Sequence, residues 1–138
     1  MSFSVSDQPP AYHSLKQHKM KVINLQEKFS KFDDHWNPRV IGELNGQDVK
    51  IAKLKGEFVW HNHTNEDELF YIVKGSLKID FEDGMRTINE GELIIIPRGV
   101  EHNPIAEEEV WIMLFEPQSI KHTGDVEHEK TVKNFEKI

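Results

Sequence analysis

Cysteine is absent from the chain, and with it go disulfide staples, thiolate nucleophiles and any zinc site built on sulfur. Long uncharged apolar runs are also missing, so no segment reads as a membrane-crossing helix. The opening MSFSVSDQPP lacks the basic-then-apolar order of a secretory signal, and the expected location is the cytoplasm. Positive charge is in deficit: 17 Lys and Arg against 24 Asp and Glu give a formal net charge of −7, with a pI near 5.6. No basic stripe is present to meet phosphates, so no nucleic acid and no membrane is expected as a partner. The lysines across 121–137 are interleaved with acids, as on a solvated face.

What the chain does have is histidine and acid at close spacing. At 138 residues and 37% apolar composition it suits one domain with one core. His61-Asn62-His63 is followed by Glu68, and His102 comes after the tight turn Pro97-Arg98-Gly99. Three imidazoles and one carboxylate form an all-protein ligand set for a divalent transition metal, held through nitrogen and oxygen alone. A strand over 57–63 would point His61 and His63 the same way, because side chains two apart share a face. The polar stretch 64–67 reads as a turn, and Glu68 opens an apolar strand over 69–73. Further strands are expected over 76–81 and 93–96, with Glu82-Asp83-Gly84 as a hairpin turn. Asn45-Gly46 between 40–44 and 48–55 is a strong hairpin signal. Residues 107–109 read as a charged turn, 110–115 as a buried strand, and Glu116-Pro117 as its end. A short helix is expected over 24–32, with Leu25, Phe29 and Phe32 on one side and Trp36 packing beneath, and another over 127–137. His13, His18, His35, His122 and His128 read as ordinary surface or hydrogen-bonded histidines.

These residues resemble the two motifs of the cupin superfamily. The first is matched by His61, His63, Glu68 and Gly75, with four residues before Glu68 and six before Gly75. The second is matched without a gap by Gly91, Pro97, Gly99 and His102. Two departures stand out. Only four residues separate Gly56 from His61, and Ala106 occupies the place of the motif's last asparagine. The resemblance runs from about Val40 to Pro117, and it is similar to the small single-domain cupins often labelled mannose-6-phosphate isomerase-like. That label speaks of fold and metal site and does not establish sugar-phosphate isomerisation.

The resemblance implies an all-β fold: a single cupin barrel (double-stranded β-helix, or jelly roll) with a short N-terminal helix and flexible arms. Residues 1–20 are expected to be a flexible N-terminal arm, 21–118 the barrel with its preceding helix, and 119–138 a C-terminal tail that either closes over the pocket mouth or, the favoured reading, lies in solvent. It also implies one divalent metal per chain, with Fe, Mn, Ni, Zn and Co not distinguished, bound by His61, His63, Glu68 and His102. A homodimer is expected by the same resemblance, and a small molecule as the ligand. Four ligands fill a tetrahedral zinc site, which would then be structural, whereas an octahedral ion keeps two positions open for chemistry. The functional expectation is therefore a small metalloenzyme of the oxygenase or isomerase type acting on an oxygen-bearing molecule. The alternative is a non-catalytic binding or sensing barrel. Val59, Phe70 and Ile72 are expected on the pocket side, and Trp60 and Tyr71 away from it. Arg98 and Glu57 are the nearest charged candidates for substrate, each read more simply as an exposed or edge residue. Glu66 and Asp67 read as turn residues that could receive a hydrogen bond from a ligand imidazole.

Overall fold

The computed structural model describes residues 20–118, 120, 122–124 and 126–138. All of the expected N-terminal arm except Met20 lies outside the described residues. Helix α1 (Leu25–Phe29) is shorter than its expected span. It starts where the Asn24 side chain accepts the Glu27 amide at 2.9 Å and stops at Ser30, whose hydroxyl turns back to the Glu27 carbonyl.

Asn45 and Gly46 both take positive φ, 50° and 75°, which is the backbone twist a two-residue hairpin needs. They join β1 (Arg39–Leu44) to β2 (Gln47–Glu57). Next come β3 (Glu68–Lys74), β4 (Ser76–Phe81), β5 (Gly84–Asn89) and β6 (Leu93–Ile96). The chain continues in β7 (His102–Pro117) and ends in β8 (Glu136–Lys137). One edge of β7 runs against β2 from Ile105 to Pro117. Its other edge meets β4 through residues 102–105 and β3 through 111–115, while β6 pairs with β3. A single strand that changes neighbours halfway along bends the sheet around an interior, giving the all-β barrel.

Residues 107–109, expected as a turn, stay inside β7. Leu54 faces Val110 and Gly56 faces Ala106, so the three acids bulge opposite Lys55. A run of exposed charge can loop outward from a ladder without ending it.

Both faces of β2 and β7 are covered. Ala52, Leu54, Ile112 and Leu114 point into the barrel with Phe70, Ile72, Leu77 and Ile79. Ile51, Trp111 and Met113 point outward, where Phe29 and Phe32 cover them, and the Phe29 ring stacks on Trp111 at 4.6 Å. This double burial replaces strict apolar and polar alternation with a nearly continuous buried run in β2.

The tail departs from expectation twice. Residues 127–137 form no helix, because they carry no repeating apolar face. Nor does the tail lie in solvent: Phe135 sits under the Lys50 ammonium at 3.7 Å, β8 pairs in parallel with β1, and the Ile138 amide donates to Val40 at 3.0 Å. Gly124 passes so close to Asn62, with φ of 59°, that a β-carbon there would collide with the Asn62 carbonyl.

Candidate metal centre

His61 and His102 are brought together by the backbone. Each amide donates to the other's carbonyl, at 3.0 and 2.9 Å, in an isolated antiparallel bridge. The strand expected over 57–63 ends at Glu57, so strand parity is not what aligns His61 and His63. Instead the His61 bridge fixes one residue, and the Gly99 amide donating to the His63 carbonyl at 2.8 Å fixes the other. One anchor, His102, opens β7 and the other, Gly99, lies just before it, which is how the two halves of the sequence pattern meet. Glu68 is the first residue of β3, held opposite Ile96.

The candidate ligand atoms of His61, His63, Glu68 and His102 all lie within 4.8 Å of one another, and none of the four residues is more than 5% exposed. His61 Nδ1 donates to the Val59 carbonyl and His102 Nδ1 to the Val100 carbonyl, each at 2.9 Å. A carbonyl can only accept, so each ring carries its proton on Nδ1 and leaves an Nε2 lone pair for the centre of the cluster. His63 Nε2, His102 Nε2 and Glu68 Oε1 have no hydrogen-bond partner although all are buried. Glu68 stands 3.1 Å from His63 Nε2 and 3.4 Å from His102 Nε2. Buried acceptors crowded around one point need a cation there, so this set fits a metal ion.

The electrostatics agree. Burial pushes the Glu68 carboxyl upward, but contact with His102 and His63 more than reverses this and holds it well below the usual carboxylate range. Burial, helped by the charge of His102, pushes His61 down to about 4. His122 is likewise brought down to about 4 by burial. Both histidines hold protons more weakly folded than unfolded, so their stability is full above the ordinary value of 6.5 and is lost as pH falls toward 4. Metal-free protein is therefore expected to lose on the order of 3 kcal/mol per pH unit across that window. Urea midpoints between pH 8 and 5 check this, and a flat profile would contradict it.

A cavity of about 30 Å3 adjoins the cluster, with His61 and Glu68 in its wall. Trp36 and Phe58 stack at 4.5 Å on one side of it. Trp36 holds a positive φ of 57°, and its indole donates to the Lys55 carbonyl. A larger open groove of about 620 Å3 lies beside β5 and β6 but contains none of the four residues.

Of the other expectations, Phe70 lines the cavity, Ile72 is in the core, and Val59 contributes the carbonyl that orients His61. Trp60 is partly exposed. Arg98 is exposed and pairs with Asp67 at 3.5 Å. Asp67 in turn accepts the Arg98 amide rather than a ligand imidazole, and Glu57 accepts from Asn103 at 2.8 Å. Three residues were missed. Lys50 and Glu116, 3.0 Å apart, are both buried, and Glu116 lines the cavity with His122. The cue for the first two was present: a charged residue at the inward parity of Ala52 and Leu54, and another at that of Ile112 and Leu114. For His122 the sequence carries no such cue.

Fold and site together define a class: a single β-barrel with three imidazoles and a carboxylate gathered inside. The cupin domain family model (Cupin_2) matches residues 48–116. The uncharacterized protein YdbB of Bacillus subtilis (strain 168) is 33% identical over 91 residues, spanning 64% of this chain and 74% of its own. The crystal structure of a cupin-2 domain containing protein from Shewanella frigidimarina NCIMB 400 superposes with a TM-score of 0.70 at 50% identity, covering 74% of this chain and 98% of that one. Protein NMB1881 from Neisseria meningitidis gives a TM-score of 0.65 at 32% identity, covering 71% and 100%. The chain belongs to the cupin family. No helix among the described residues is long and apolar enough to cross a membrane.

Proposed function

We propose that this chain is a metal-dependent enzyme acting on a small oxygen-bearing molecule, with one divalent ion held by His61, His63, Glu68 and His102. The observation that carries this is the set of buried, unpartnered acceptors converging on one point. Four protein ligands leave open positions in an octahedral ion, where it would act as a Lewis acid or oxygen activator of the oxygenase or isomerase type. The chain's own contribution is to orient the imidazoles through the Val59 and Val100 carbonyls, and to keep the cavity small and largely apolar so that bulk water is excluded. A barrel with a packed apolar core does not need a metal to fold, which favours catalysis over a structural ion in a non-catalytic binding barrel. Location in the cytoplasm and pairing as a homodimer belong to the same proposal.

The test is metal content by plasma mass spectrometry on protein purified without added metal or chelator. About one Fe, Mn, Ni, Co or Zn per chain, lost in a His61→Ala/His63→Ala protein, is the expected result. No metal, and none taken up on titration, would overturn the reading.

A further inference from the structure

β6 ends its sheet: it pairs with β3 and, among the described residues, with no other strand. The direction of its backbone groups follows from a neighbouring bond. The Ile72 amide donates to the Glu92 carbonyl at 3.0 Å, and bonded pairs alternate along an antiparallel ladder, so Phe70 with Ile94 and Glu68 with Ile96 are the bonded pairs. Leu93 and Ile95 therefore turn their N–H and C=O away from β3.

Native sheet edges are guarded by charge, proline, a bulge or brevity. The open edge of β5 carries Arg86, and β8 has two residues. β6 reads Leu-Ile-Ile-Ile, with Leu93 55% and Ile95 57% exposed, and on the outer face these two continue the rows of Tyr71 and Leu69. Bare backbone groups and aliphatic side chains lie together, unguarded.

A second copy of β6 matches this edge in hydrogen bonding and in charge. A twofold axis at Ile94 sets Leu93 of one protomer opposite Ile95 of its partner, which are the residues whose backbone groups face outward. Continued past the strand ends, the same register brings the exposed Glu90 beside the partner's exposed Arg98, and it does so twice. A slip one way sets Leu93 against Pro97, which has no N–H, and a slip the other way sets Glu90 against Ile96. We propose that β6 pairs antiparallel with β6 of a second copy, centred on Ile94, so that the two sheets continue as one. The proposal rests on the homodimer reading above and names its surface.

Sedimentation equilibrium of the full chain gives the dimer Kd, and the absence of native cysteine lets single thiols report the register. Ile94→Cys faces itself in a non-bonded pair with Cα atoms about 4.5 Å apart, within disulfide range, so mild oxidation should give a covalent dimer. Ile95→Cys meets itself only diagonally, at roughly 7–8 Å, and should not. Ile95→Pro removes an outward N–H while leaving the bonds to β3, and Ile95→Lys supplies the missing guard. Each should weaken the dimer about tenfold or more with unchanged far-ultraviolet dichroism, and either suffices if the other does not fold. Arg98→Glu should weaken it about threefold, and adding Glu90→Arg to the same chain should restore it. A monomeric wild type would sink the homodimer reading and this surface with it. A wild-type dimer that survives both Ile95→Pro and Ile95→Lys, or that cross-links through Ile95→Cys in place of Ile94→Cys, would overturn the β6 pairing alone.

Discussion

Replacing His102 with alanine is expected to abolish tight metal binding while leaving the barrel folded. His102 is 1% exposed, and its Nε2 is one of the three unpartnered atoms facing the centre of the cluster. Its backbone amide and carbonyl make the bridge to His61, and an alanine keeps both. Losing an outer partner of a metal site costs roughly 10–100-fold in affinity, so loss of one of four direct ligands should exceed that. The effect on stability follows by mass action. At a free metal concentration about 1,000 times Kd, wild-type protein gains about 4 kcal/mol. For a domain of this size that corresponds to a rise in Tm on the order of 10 °C. Calorimetry with and without metal should show that rise in the wild type and almost none in His102→Ala. Equal rises in both would remove His102 from the site. A wild type that unfolds when stripped of metal would make the ion structural.

The second large effect is expected at Lys50. It is fully buried on the inward face of β2, 3.0 Å from Glu116, and its ammonium rests on the Phe135 ring. Burial lifts the Glu116 carboxyl well above its ordinary range, nearby Glu68 lifts it further, and Lys50 opposes both. In Lys50→Met that opposition disappears, and two acidic groups are left together in a closed space. Breaking a buried pair from one side costs about 3–5 kcal/mol. Proton uptake by Glu116 places this case at the lower end, about 3 kcal/mol. The double change Lys50→Met/Glu116→Leu removes the stranded acid and should recover most of the loss, because apolar replacement of a whole buried pair is often neutral. Urea denaturation of the two single variants and the double variant measures the coupling. Simple additivity would show that the two side chains act independently.

The barrel was legible because its signals are local. Asn45-Gly46 sets a hairpin by backbone φ alone, and strands 76–81 and 93–96 have the bounds their apolar runs indicate. The four candidate ligands could be named from spacing, although the reason given for His61 and His63 was incomplete. They converge through hydrogen bonds to His102 and Gly99, contacts that residues 57–63 cannot reveal alone. Features set by tertiary covering were not legible. Lys50 and Glu116 stand at the inward parity of their strands, but their enclosure depends on the tail, which lays Phe135 against the Lys50 ammonium. Residues 122–138 are polar enough to read as solvated, and their few apolar side chains reach separate sites on the barrel. His122 became a cavity residue through that docking, which no periodicity in the tail encodes.

The reach of β7 also orders events during synthesis. His61, His63 and Glu68 leave the ribosome early, but the strand that carries His102 pairs with β2, β3 and β4 and finishes only at Pro117. At ordinary elongation rates the early histidines wait roughly 3–10 s for it. An unfolded histidine pair has no means of rejecting copper, which heads the affinity series for such ligands. The complete quartet exists only after the last long strand is in place. On the proposed metal reading, metal choice would pass from the nascent chain to the closed barrel, and the free-metal pool around the chain as it finishes folding would decide which ion is trapped.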